Sequence, residues 1–170
     1  RKNGCGAVSQ HAIARAVKRA RFMALMPFLG EYSLMQNAFH YKRRIEFCDT
    51  DAAGIVHFSA LMQIAEQAEH AMLRSLGTSV LVQIPSESGA PSWLTWPRVR
   101  VESEFHGAAR FEEELDVALY VSRLGTKSVT YVFRMTRSSE PICSGKTTNI
   151  CCQIDATGRM KSVEIPARLK

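Results

Sequence analysis

The sequence predicts an α+β domain in which an antiparallel sheet wraps a single long helix. Residues 58–76, FSALMQIAEQAEHAMLRSL, carry apolar side chains at 58, 61, 65, 68, 72 and 76, the three-or-four spacing of an amphipathic helix. From residue 92 onward the period changes to two, and the alternating segments are joined by short turns, which makes neighbouring strands antiparallel. One helix facing a sheet with one apolar side has a simple packing solution: the sheet curls around the helix.

Each element follows in turn. Residues 39–47 (FHYKRRIEF) read as a short extended segment with Tyr41, Arg43, Ile45 and Phe47 on one side. The helix can start on Ser59 as N-cap and end before Gly77, a residue suited to the left-handed position that closes helices. Residues 78–92, with Pro85, Gly89 and Pro91, read as a connector. Strands then follow: Val99, Val101 and Phe105 alternate with charged residues, then Leu115 to Val121, then Val129 to Met135. Residues 142–154 read as extended, and Val163 with Ile165 as a short closing segment.

Composition narrows the function. The 170 residues are 46% hydrophobic and 22% charged, as in an ordinary globular domain rather than a disordered chain. The net charge of +6 invites a nucleic-acid reading, but its location argues against one. Six of the 22 basic residues fall in residues 1–30, where there is no acid, and the other 16 balance all 16 acidic residues. The chain therefore divides into a basic extension, 1–34, and a domain, 35–170, that begins near Met35. The extension reads as dispensable to the fold; a targeting segment or a basic helix touching DNA or membrane is the alternative. Five cysteines without a CxxC pair indicate neither a disulfide framework nor a zinc site. They fit buried thiols in a reducing cytoplasm. No apolar run approaches the roughly 20 residues that span a bilayer.

The stretch DTDAAGIVHF, residues 49–58, sets two carboxylates and a glycine just before the helix. By themselves Asp49 and Asp51 could hold a turn; a metal site would want more oxygen ligands than are at hand. RIEFCDTDAAGIVHF followed by so long a helix resembles the 4-hydroxybenzoyl-CoA thioesterase family of the hotdog fold. Asp49, Asp51, Gly54, Ile55 and Val56 match its Asp-x-Asp-x-x-Gly-(Ile/Val)-Val signature, and Glu66 matches a glutamate often found on the helix. SEFHGAARFEEELDVALYVSRLGTKSVTYVFRM looks like the family's later strands. The match covers roughly residues 39–166. His57 stands where the family usually has an aromatic residue, and Ala60 and Leu61 replace its common Asn and Tyr.

The resemblance implies an acyl-CoA thioesterase that needs no metal or prosthetic group, coenzyme A being part of the substrate. Asp51 would be the working carboxylate, as nucleophile or general base, and the Phe58 backbone N–H the oxyanion donor. Arg123, Lys127 and Ser128 surround Gly125 as the substrate-binding candidates; Lys127 and Ser128 fall where relatives contact the phosphates of coenzyme A, and a solvated turn is the alternative. The resemblance also implies a homodimer or homotetramer, with no nucleic-acid or membrane partner. An acyl-carrier-protein thioesterase and a non-catalytic acyl-CoA sensor are the alternatives. Asp49 is expected to brace the loop and Glu66 and Glu69 to be structural or solvated. Cys48 is expected to pack and His70 and His106 to lie at the surface. Trp93 and Trp96 are expected in the core or an interface. His57 paired with a carboxylate could dehydrate a hydroxyacyl group, as hotdog dehydratases do.

Overall fold

The computed structural model describes residues 37–85 and 91–169, so the basic extension and Cys5 lie outside the described residues. The elements are β1 (Phe39–Arg44), α1 (Phe58–Ser75), β2 (Leu81–Ile84), β3 (Ser92–Thr95), β4 (Arg98–Phe105), β5 (Glu114–Leu124), β6 (Ser128–Arg137), β7 (Glu140–Ile150), β8 (Cys152–Ile154) and β9 (Met160–Ser162). Five strands form an antiparallel sheet in the order β1-β5-β6-β7-β4. The apolar faces expected on two of them are the ones buried. Leu115, Val117, Leu119 and Val121 of β5 and Val129, Tyr131, Phe133 and Met135 of β6 pack with Leu61, Ile64, Ala65, Ala68 and Met72 of α1. Each large side chain buried there contributes about 1.5–3 kcal/mol. This is the antiparallel sheet around one helix that the alternating pattern demands.

The helix ends where the sequence places it. The Gly77 N–H donates to the Arg74 carbonyl and the Thr78 N–H to the Leu73 carbonyl, both at 3.0 Å. Gly77 takes φ +73, so a residue without a Cβ closes the last turn. The start differs: His57, not Ser59, is the N-cap.

Four more expectations change. The connector 78–92 contains β2, and with β3, β8 and β9 it builds a second sheet in the order β2-β3-β8-β9. This sheet covers a small core of Leu94, Cys151 and Ile165, which Trp96 and Leu124 share with the main core. The extended run 142–154 breaks at Cys151, between β7 and β8. The closing strand is Met160–Ser162 rather than Val163–Ile165, although Ile165 is buried. Phe47 leaves the face of β1 because the chain turns into a 3-10 helix at Phe47–Asp49, which exposes its ring.

The strand β4 departs most from its pattern. Val99, Val101 and Phe105 are 56%, 47% and 52% exposed. β4 is an edge strand with β7 as its one neighbour in the sheet, so its apolar side chains lie beyond the reach of α1.

Candidate active site

Between the 3-10 helix and α1 the chain makes a closed loop with Asp51 near its tip. A β-bridge joins Thr50 to Val56, and the His57 N–H donates to the Asp49 carbonyl at 2.8 Å. Inside this neck the Asp51 N–H donates to the Ile55 carbonyl and the Gly54 N–H to the Asp51 carbonyl, both at 2.9 Å. Gly54 adopts φ +70, a conformation that costs a side chain about 1–2 kcal/mol. The bridged neck sets the two ends of the loop side by side, so Asp51 and the first residue of α1 lie at the same end of the sheet.

The two aspartates are held differently. Asp49 is buried; its Oδ2 accepts from the Glu46 N–H at 2.8 Å and from Arg43 Nη2 at 3.1 Å. Asp51 is exposed, and Oδ1 accepts from the Ala53 N–H at 2.8 Å. Asp49 thus braces the loop, while Asp51 presents a carboxylate to solvent with a backbone N–H orienting it.

At the neck, α1 opens on His57 and Phe58. The helix dipole places partial positive charge here, and the Phe58 N–H donates to no acceptor among the described residues. The Phe58 ring is 60% exposed. Phe47 and Phe111 stack edge to face nearby, with centroids 6.0 Å apart. Arg110 Nη1 reaches the Gly54 carbonyl at 3.4 Å. An exposed carboxylate, a free N–H at a helix start and exposed aromatic rings can bind an uncharged acyl group and act on its carbonyl.

Arg123, Lys127 and Ser128 lie elsewhere. They border the β5–β6 hairpin, where the Gly125 N–H donates to the Ser128 carbonyl at 2.7 Å. Arg123 and Lys127 are exposed. Glu114, at the other end of β5, pairs with Arg44 beside the acidic loop. Eleven residues of strand separate the two ends, roughly 30 Å at about 3.3 Å per residue. A single copy does not bring these residues to Asp51.

The fold assembles a further polar group that the local sequence pattern does not reveal. Glu69 is 2% exposed on α1. Its carboxylate accepts from Arg98 Nη2 at 2.7 Å and from Asn149 Nδ2 at 2.5 Å. Arg98 Nη1 bonds Glu66 Oε1 at 3.0 Å. Burial pushes the Glu69 carboxyl up from the usual carboxylate range, and the Arg98 charge opposes that shift. Arg98 Nε and Asn149 Oδ1 are buried without a partner among the described residues. Position 69 borders the apolar stripe 61, 65, 68, 72, which is the one signal that this glutamate needs a buried cation. Glu66, half-exposed, is tied to the same guanidinium.

Other side chains singled out by the sequence take no part in this group. Cys48 is exposed rather than packed, because the 3-10 turn carries it outward; Cys143, Cys151 and Cys152 are buried free thiols. Burial raises the Cys143 and Cys151 thiols to about 11, which keeps them protonated and inert. His106 is exposed and bonds Ser144 Oγ at 2.8 Å. His70 is half-buried. Trp93 and Trp96 are half-buried, and Trp96 packs against both cores. No cluster of three His, Cys, Asp or Glu that could hold a metal ion occurs among the described residues.

Residues 53–144 match the model of the Thioesterase superfamily. The 1,4-dihydroxy-2-naphthoyl-CoA hydrolase of Synechococcus elongatus is 27% identical over 132 residues, 78% of this chain and 92% of that protein. The structure of 4-hydroxybenzoyl-CoA thioesterase from Pseudomonas sp. strain CBS-3 superposes with a TM-score of 0.64 at 19% identity, over 78% of this chain and 96% of that one. The architecture is thus that of the hotdog fold. Residues 1–26 match a different model, that of ribosomal protein S18. The small ribosomal subunit protein bS18 of Rhodopirellula baltica is 68% identical over 31 residues, 18% of this chain and 36% of that protein.

Proposed function

The chain belongs to the thioesterase superfamily, and on that premise we propose that it hydrolyses an acyl-CoA thioester, with Asp51 as the working carboxylate. The products are a free acid and coenzyme A. Asp51 either attacks the thioester carbonyl, breaking the C–S bond to release the coenzyme A thiolate and leave an anhydride that water then opens, or takes a proton from the water that attacks and displaces the thiolate. In both routes negative charge builds on the carbonyl oxygen, and the Phe58 N–H receives it at the positive end of α1. The observation that carries this reading is one bridged loop that presents an exposed, backbone-oriented Asp51 carboxylate and ends on a helix start whose Phe58 N–H has no acceptor among the described residues. No metal or prosthetic group takes part.

Two features support a site shared between copies of the chain. Arg123, Lys127 and Ser128 lie too far from Asp51 to serve it within one copy, so we assign them to the coenzyme A phosphates of a neighbour's site. The edge strand β4 carries exposed Val99, Val101 and Phe105 beside unpaired backbone, a surface that natural proteins pair or cover. Edge-to-edge pairing into a homodimer satisfies both. The named relatives act on aromatic acyl-CoA thioesters, and the exposed rings of Phe58, at the helix start, and of the Phe47–Phe111 pair support an aromatic acyl group here. We place the protein in the cytoplasm, where buried free thiols persist; no helix among the described residues is long and apolar enough to cross a membrane. Residues 1–34 stand apart from this chemistry, a division supported by the likeness of residues 1–26 to a ribosomal protein.

The test is Asp51→Asn, which keeps shape and removes charge. We expect kcat to fall by about 10² to 10⁴ with folding and acyl-CoA binding retained, and Glu66→Gln to cost less. An Asp51→Asn enzyme that keeps most of its activity, beside an inactive Glu66→Gln, would move the chemistry to the helix.

A further inference from the structure

His57 governs which backbone donors the start of α1 leaves free. An α-helix begins with four N–H groups that have no partner inside it; here they belong to His57, Phe58, Ser59 and Ala60. Three are taken. The His57 N–H donates to the Asp49 carbonyl at 2.8 Å and the Ala60 N–H to the His57 carbonyl at 3.0 Å. The Ser59 N–H donates to the His57 ring at Nδ1, 3.3 Å away. Among the described residues, the Phe58 N–H is left without an acceptor.

Each of the three bonds ends on His57 or starts from it. Its backbone is extended, with φ −68 and ψ 143, the geometry of an N-cap, but the residue differs from the usual Ser, Thr, Asp or Asn. The same Nδ1 lies 2.7 Å from Ser59 Oγ, so two groups converge on it. As acceptor from an N–H, Nδ1 carries no proton, which places the ring proton on Nε2. The ring lies over the Phe58 ring, with centroids 4.5 Å apart and planes 39° apart. That contact restrains the side chain of the residue whose N–H is free.

We propose that His57 is a positioning residue for the hydrolysis. By occupying the Ser59 N–H and packing on Phe58, it leaves one donor at the helix start and fixes its direction. The inference rests on the proposed hydrolysis at Asp51, in which the Phe58 N–H stabilises the oxyanion. A misplacement of about 1 Å at such a donor is enough to cost roughly 10²-fold in rate. A donor aimed at the oxyanion acts in the transition state, so the loss falls on kcat.

The experiment compares His57→Ala and His57→Asn with the parent, in the full chain, against 4-hydroxybenzoyl-CoA or whichever acyl-CoA the parent turns over fastest. Alanine removes the capping group; asparagine restores a side-chain oxygen that reaches the same N–H. We expect His57→Ala to lower kcat by roughly ten- to a hundredfold with KM within about twofold, and His57→Asn to recover most of that loss. A cap with a purely structural role would lower the melting temperature of His57→Ala and leave kcat alone, which overturns the inference. So does a folded His57→Asn as slow as His57→Ala, or as slow as a hundredth of the parent where the alanine variant fails to fold. Asp51→Asn separates the two levels. An inactive Asp51→Asn beside a fully active His57→Ala refutes the positioning role alone, whereas an active Asp51→Asn refutes the reading beneath it.

Discussion

The acidic loop and the middle of α1 each carry two carboxylates, and the two places hold them in opposite ways. At Glu66 and Glu69 one guanidinium spans both side chains, and Asn149 adds a further bond to the buried one. At Asp49 and Asp51 the work is divided: the buried aspartate takes the arginine and a backbone N–H, while the exposed one takes a backbone N–H alone. A carboxylate whose lone pairs are filled by a cation in a dry environment is a poor nucleophile and a poor base. The exposed one keeps its reactive oxygen. Glutamates on a helix of this kind could serve catalysis by their sequence position, and here Arg98 bonds both of them, with Glu69 the buried one.

Three experiments sharpen the contrast. The largest effect is expected from Arg98→Met, which keeps the bulk and strands Glu69 without its cation. Removing one partner of a buried pair costs about 3–5 kcal/mol, so thermal unfolding should shift by roughly ten degrees or more at neutral pH. The pH dependence has a definite sign. The Glu69 carboxyl already lies above its ordinary value of 4.5, with Arg98 holding it down, and without Arg98 it rises further. A group raised in the folded state stabilises below its unfolded value, and that stability is lost as pH climbs through the folded one. The variant should therefore be closest to the parent near pH 4.5 and fall away above it. A deficit that is the same at every pH would show that Glu69 is not the group left stranded.

Asp49→Asn comes next. It keeps one acceptor for Arg43 or the Glu46 N–H but loses the charge, and should cost about 1–3 kcal/mol while kcat drops by less than tenfold. A loss of rate matching that of Asp51→Asn, with unfolding unchanged, would erase the distinction between brace and catalyst. The smallest effect is expected from a chain starting at Met35. Its melting temperature should stay within about two degrees of the parent, because residues 1–34 bring no periodic apolar face to the domain. A larger fall in a melting curve would mean that the basic segment packs on the fold.

Periodicity alone makes the α1 and β5–β6 core readable. Side chains at 61, 65, 68 and 72, and at 115 to 121 and 129 to 135, each satisfy one local repeat, and burial of one face follows from that repeat. Gly77 is legible for a similar reason, since closing a helix needs a left-handed residue at a known offset. The loop is legible as a motif, from its two aspartates, its glycine and the helix behind them. Its division of labour is not: which aspartate turns inward depends on Arg43 and on the 3-10 turn that aims them together. His57 as the cap, in place of Ser59, is settled by where the Asp49 carbonyl catches the chain.

What sequence determined by itself, then, was whatever repeats within a few residues: the helix, the alternating strands, the acid-rich loop and the neutral body beside a basic extension. Tertiary structure decided the rest. The strand β4 alternates like its neighbours, and its register sets Val101 and Phe105 on the face of buried Tyr131 and Met135, yet they stay exposed, because a strand's place at the sheet edge is set by distant pairing and not by its own pattern. Glu69, Arg98 and Asn149 meet across separations of 29 and 80 residues. No local repeat encodes such a contact; only the curl of the sheet around the helix brings the three together.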